Sequence, residues 1–258
     1  MWSKRIRVKQ TRAKPIAACR PPSGKITLFP SRRPALKFLA FDTATEWCSA
    51  ALWMDGVCTS REVHAGQKHS DLLVPMLMEL LAESGLTLHQ LDGLVYGMGP
   101  GSFTGLRIAS GVAQGLALAA DLPVLGISTL ETLAEEAGAD QVLACLDARM
   151  HEVYAALYQH ESQLESDTWH CLAGPLVCPP DAVPLPEGDG YVGVGSGFAA
   201  YPNLAKLHLS RVDASLIPHA RAMARLAAPR LQRGEGESAE KAEPLYIRNK
   251  VALKICER

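Results

Sequence analysis

The sequence predicts an α/β protein built from two similar halves, and three observations carry that prediction. An apolar strand that ends in Asp and leads into a hairpin occurs twice, at Phe38–Phe41 before Asp42 and at Gln141–Leu146 before Asp147. A strand that enters a glycine-rich turn also occurs twice, at Gly97–Gly105 and at Gly195–Gly197. Between them lie segments whose apolar residues recur every three to four positions, the period of an amphipathic helix. The expected subdomains are 37–137 and 138–258, each with a mixed sheet and helices.

The elements follow in order. Residues 1–36 contain Pro15, Pro21, Pro22, Pro30 and Pro34, many basic residues and no sustained periodicity. Such a composition cannot bury a core and is expected to be disordered. After the first strand, Cys48–Met54 is a second, Asp55-Gly56 is a two-residue hairpin turn, and Val57–Val63 is a third. Ser70–Ser84 is a helix, with Ser70 as N-cap and Gly85 as its stop. Leu73, Met76, Leu77 and Leu80 lie on its apolar stripe. Pro75 makes its first turn irregular. His64 and His69 just before it are five apart, a poor spacing for a shared metal, and no metal site is assigned.

Leu91–Tyr96 is the strand into the first glycine turn, and Thr104–Ala120 the helix after it. Arg107 is that helix's only charge. Ala109, Ala113 and Ala117 recur at four-residue spacing, as do Gly111 and Gly115 beside them. Small residues let another backbone approach, so both helices are candidate partner faces, with monomer core as the alternative. Val124–Ile127 is a strand, and Ser128-Thr129-Leu130-Glu131 is a capping-box pattern for a helix to Ala137. Glu152–Tyr158 pairs with the strand before Asp147, and 159–190 is polar and weakly patterned. Tyr191–Val194 is a strand, Pro218–Gln232 a helix, and Arg233–Lys241 a polar linker.

The turn Gly97-Met98-Gly99-Pro100-Gly101-Ser102-Phe103-Thr104-Gly105 fits none of the common catalytic or phosphate loops. A P-loop needs four residues between its glycines and then Lys, but five separate Gly99 from Gly105 and Leu106 follows. A nucleophile elbow needs Gly on both sides of the Ser, and Ser102 has Pro100 and Thr104 there. A dinucleotide fingerprint needs Gly where Ser102 stands. Two readings stay open: a structural turn, or an anion site in which Gly99, Gly101, Ser102 and Thr104 offer N–H groups at a helix start. Ser102 or Thr104 would cap that helix.

Charge is unevenly distributed. Of 26 Lys/Arg, eleven lie in residues 1–37, which hold no acid. The remainder carries 15 basic and 27 acidic residues, a net of −12. Such a body repels nucleic acid on average. Seven cysteines without Cys-x-x-Cys spacing suit a reducing compartment, and the apolar run 106–120 is too short for a bilayer.

Gly-Pro-Gly-Ser-Phe-Thr-Gly-Leu-Arg-Ile at 99–108, some fifty residues after Phe-Leu-Ala-Phe-Asp-Thr-Ala-Thr, closely resembles the TsaB (YeaZ) family. Asp147-Ala148-Arg149 with Glu152-Val153-Tyr154, and Pro244–Arg248, resemble it too. The resemblance implies an actin-like ATPase (RNase H-like) fold, which the strand–Asp–hairpin start also matches. It implies a non-catalytic cytoplasmic subunit required for threonylcarbamoylation of tRNA adenosine 37, with no catalytic residue and no cofactor of its own. Its partners would be a homologous catalytic subunit (TsaD-like) and a small ATPase (TsaE-like). ATP or ADP would act within the complex, and tRNA would be met only through it. A homodimer is possible when the subunit is alone. By analogy with active members of the fold, Asp42, Thr43 and the turns at Gly99, Gly101, Ser102, Thr104, Gly195 and Gly197 are candidate nucleotide or phosphate contacts; Asp42 as a turn cap is the alternative. The partner face would comprise Leu73, Met76, Leu77, Leu80, Ala109, Ala113 and Ala117. An autonomous actin-like ATPase or phosphotransferase is the competing function.

Family members begin with Met, a basic or small residue, and the first strand. Leu36–Ala40 has that shape with Leu for Met, and a Leu codon can initiate in bacteria. The expectation is therefore an over-extended gene start. A basic arm and an organelle transit peptide are the other readings of 1–36.

Overall fold

The computed structural model describes residues 36–248 except 164–165 and 185–187, together with Thr11–Arg12. The remainder of 1–36, and with it the expectation of disorder there, lies outside the described residues. Thr11–Arg12 depart from that expectation: they form a short strand, β1, antiparallel to β4. The edge of β4 offers unpaired N–H and C=O groups to any passing chain.

The first sheet has the order β1-β4-β3-β2-β5-β6, with β2 at Lys37–Asp42, β3 at Trp47–Met54, β4 at Val57–His64, β5 at Gly93–Gly99 and β6 at Val124–Ser128. The second has the order β11-β10-β7-β8-β9, with β7 at Gln141–Asp147, β8 at Val153–Gln163, β9 at Ser166–Cys178, β10 at Val192–Val194 and β11 at Arg211–Asp213. Leaving β1 aside, the two orders are the same. In each, the first strand pairs antiparallel with the second and parallel with the fourth, and the second pairs antiparallel with the third. This is the duplicated actin-like, RNase H-like arrangement. Asp55 and Gly56, both at positive φ, make the β3–β4 hairpin turn that their sequence requires.

The helices are α1 (His69–Ser84), α2 (Phe103–Ala120), α3 (Thr129–Ala137), α4 (Ser196–Ala200) and α5 (Ala220–Gln232). Helices α1 and α2 cover one face of the first sheet: Leu73, Leu77, Leu80, Ala109 and Ala113 pack with Leu39, Phe41 and Leu94. Alternate residues Phe38 and Ala40 face the other way, onto Met223, Ala224 and Ala227 of α5. Helix α3 instead packs Leu130 and Leu133 on Val142, Ala144 and Val194 of the second sheet. The spatial halves thus exchange helices. α3, placed with 37–137 by sequence, lies on the second sheet, and α5, placed with 138–258, lies on the first. Each caps the sheet opposite its own, and the two meet along Glu131–Arg230, Glu135–Arg225 and Glu136–Arg221 ion pairs.

Local expectations are corrected at three places. Ser70 lies inside α1, whose N-cap position is Lys68, with no side-chain cap. Ser128 makes no capping bond to α3. The segment 159–190 contains β9, thirteen residues long, an edge strand whose exposed side needs no apolar alternation. Among the described residues no helix is long and apolar enough to cross a membrane.

Candidate functional site

Strands β2 and β7 are equivalent, and the turns that follow them face each other across a cleft. Arg149 of the second turn reaches Glu46 of the first, 3.3 Å away. The cleft encloses about 1270 Å³, with Thr45, His69, Ser102, Thr104, Asp147 and Tyr154 among its lining residues. The chain's last described segment bridges both lobes at its rim. Leu245 N–H donates to Met98 O (2.7 Å), the Tyr246 ring lies 5.8 Å from that of Phe103, and Arg248 pairs with Glu152.

Of the eight candidate contacts, Gly101, Ser102 and Thr104 line this cleft, whereas Asp42, Thr43, Gly99, Gly195 and Gly197 do not. Asp42 is buried beneath β5. Its Oδ1 accepts the Ala44 N–H (2.9 Å), and its Oδ2 has no hydrogen-bond partner among the described residues. A β-carbon at Gly97 would stand 1.8 Å from that Oδ2. Burial pushes the Asp42 carboxyl up to about 7, against the opposing pull of the Ala44 N–H. A carboxyl so enclosed does not fit a metal–phosphate ligand facing the cleft.

The glycine turn is spent on packing. Ser102 N–H donates to Ala44 O (2.7 Å), Gly105 N–H to Ser102 Oγ (3.3 Å), and Thr43 Oγ1–H to Gly105 O (2.7 Å). A β-carbon at Gly105 would lie 1.9 Å from Thr43 O. Gly99 packs against Leu106 and Leu245, and Gly195 and Gly197 against Cys145. Of the two readings open for this loop, the structural one describes these bonds, and Ser102 is the cap of α2. His69 is buried at the start of α1, while exposed His64 stands edge-on to Trp47 at 5.4 Å. Among the described residues no three His, Cys, Asp or Glu side chains converge on a metal position.

The candidate partner face needs a larger correction. Leu73, Met76, Leu77, Leu80, Ala109, Ala113 and Ala117 are all buried in the monomer's own core. The apolar stripes identified in the sequence face the first sheet. What the same helices show to solvent is a second row: Val74 (38% exposed) and Met78 (39%) on α1, and Gly111, Gly115 and Leu118 (75%) on α2. A β-carbon at Gly111 or Gly115 would meet nothing within 4 Å among the described residues. The sequence signal for this row was the four-residue glycine spacing, which reads the same whether the row points in or out.

A family model described as TsaD, tRNA N6-adenosine threonylcarbamoyltransferase, matches residues 62–254. The tRNA threonylcarbamoyladenosine biosynthesis protein TsaB of Escherichia coli is 42% identical over 228 residues, 85% of this chain and 97% of that protein. The protein of the same name from Haemophilus influenzae is 41% identical over 229 residues, 85% of this chain and 96% of its own length. The chain belongs to this family and, within it, to TsaB.

Two solved Pseudomonas aeruginosa structures agree with TsaB membership. One is titled YeaZ, with TM-score 0.76 and 41% identity over 82% of this chain and 99% of that one. The other, titled an uncharacterized protein with similarity to peptidase YEAZ, has TM-score 0.77 and 40% identity over 83% of this chain and all of that one. In this TsaB-family chain Ser102, the serine a hydrolase would be built on, has its oxygen engaged in capping α2.

Proposed function

We propose that this chain is the non-catalytic partner subunit of a tRNA adenosine-37 threonylcarbamoyltransferase, and that it pairs with the homologous catalytic subunit through the outer face of α1 and α2. The exposed Gly111 and Gly115 carry the reading. Glycine in a helix interior costs about 0.5–1 kcal/mol relative to Ala, and among the described residues no neighbour uses the space that these two leave. A partner helix drawn in to backbone contact does use it, and also covers Leu118, Val74 and Met78. The small ATPase, and ATP or ADP, belong to the assembled complex; the enclosure of Asp42 supports a nucleotide site formed largely by other subunits. tRNA is met through the complex because the body carries a net −12. A cytoplasmic place follows from the same reading, and a homodimer is its counterpart when the catalytic subunit is missing.

The test is Gly115→Leu, with Met78→Glu as a second variant. Both positions are exposed, so neither variant is expected to melt below the wild-type temperature, and Gly115→Leu slightly above it, while each pairs with the catalytic subunit at least about a hundredfold more weakly, roughly 3 kcal/mol. Normal melting with undiminished pairing for both variants would overturn the interface. Steady ATP turnover by the isolated chain with magnesium would favour the autonomous phosphotransferase instead.

A further inference from the structure

We infer that Arg107 is the charged specificity contact of this interface and receives a carboxylate from a helix of the catalytic partner. The inference rests on the pairing proposed above and adds the chemistry at one end of it. Arg107, Gly111, Gly115 and Leu118 follow at spacings of four, four and three on the exposed side of α2. Successive members are therefore neighbours on one face. A helix seated on the two glycines reaches Arg107 within its next turn.

The guanidinium is held ready for such a contact. Its carbon lies 3.5 Å from the centroid of the Phe103 ring and 5.5 Å from that of Tyr246, with the two rings 5.8 Å apart. Phe103 and Tyr246 are themselves about half exposed, at 46% and 48%. The Phe103 ring thus covers one face of the cation and Tyr246 lies to its side, and the side-chain N–H groups of Arg107 make no hydrogen bond among the described residues. Among the described residues no carboxylate lies within ion-pair distance of it. Nothing on α2 calls for a cation here either: the helix has no acid at i±3 or i±4, and its N-terminal end is the positive end of the macrodipole. A guanidinium fixed by stacking loses little further freedom when it forks onto a carboxylate. A carboxylate is favoured over an RNA phosphate because the surrounding body is strongly acidic and repels a polyanion.

The experiment measures Kd between the full chain and its catalytic partner at low and at moderate salt, for Arg107→Gln, Arg107→Lys and Gly115→Leu, with melting recorded on each preparation. Arg107→Gln is expected to weaken pairing at low salt by at least about tenfold and to flatten its salt dependence. Arg107→Lys, which keeps the charge but not the fork, is expected to recover only part of that loss. Wild-type affinity and salt dependence in Arg107→Gln, alongside lost pairing in Gly115→Leu, would overturn the role of Arg107 and leave the interface standing. If Gly115→Leu also paired normally, the interface itself would fail. Normal pairing by Arg107→Gln with reduced tRNA affinity of the assembled complex would assign the guanidinium to phosphate and overturn the inference.

Discussion

Asp42 shows how a residue with the right place in the chain can be wrong for the chemistry that the place implies. It ends β2, as the acid of an active actin-like ATPase does, but it lies under Gly97 and away from the cleft. Its native carboxyl titrates near 7 rather than at its ordinary 3.8. The folded state therefore holds a proton that the unfolded state has released between these two values, and stability falls as pH rises through that window. The loss by pH 8 is at most about 4 kcal/mol. Asp42→Asn removes the titration and keeps an acceptor for the Ala44 N–H, so its urea midpoint is expected to fall less between pH 5 and pH 8 than that of the wild type. Gly105 makes a sharper test of packing. Gly105→Ala forces a β-carbon against the Thr43 carbonyl and is expected to destabilise by about 2–3 kcal/mol, read from the same midpoint. Leu80→Glu, at a position the sequence placed on the candidate partner face, buries an unpaired charge beneath α1. It is expected to unfold the chain itself, seen as loss of the cooperative melt.

At the scale of elements, α1 and α2 were legible as helices because their apolar residues recur at helical spacing, and Gly85 at φ 69° ends α1 where the sequence placed the stop. Their outward faces were not legible. A helix with small or apolar residues on nearly every side has two stripes that periodicity cannot rank, and the wider aliphatic one went to the sheet. The glycines of the remaining stripe give a prediction with a sign opposite to that at Gly105. Gly111→Ala is expected to raise the stability of the isolated chain by about 0.5–1 kcal/mol, because its β-carbon enters open space in a helix interior. Thermal melting of the isolated chain decides it. Strand β9 was missed because an edge strand beside solvent carries polar residues, Gly and Pro that read as loop.

Across the whole molecule, the helix exchange decides what holds the lobes together. Glu136 has a nearly buried side chain and binds both Arg221 and Arg225 of α5. Glu136→Gln is expected to cost about 1–2 kcal/mol, since the two arginines keep partial access to water. Urea unfolding of the variant and the wild type at matched salt measures it. Residues 36–258 alone are expected to bind tRNA no tighter than micromolar in a filter assay at moderate salt, because a net −11 opposes counterion release.

The sequence by itself determined the two-half α/β plan, the strand–turn–helix at the glycine loop and the family, because each is written in local periodicity, turn chemistry and a contiguous irregular motif. It also determined that the folded body is acidic, which needs only a count. Tertiary structure alone decided which residues face what. Gly101, Gly105 and Gly97 pack against Ala44, Thr43 and Asp42, more than fifty residues earlier. Helices α3 and α5 cross to opposite sheets, an exchange that no local pattern encodes. Tyr246 meets Phe103 and Arg107 only because the chain returns across the cleft after 140 residues. Packing in three dimensions chooses among faces that are equivalent in one.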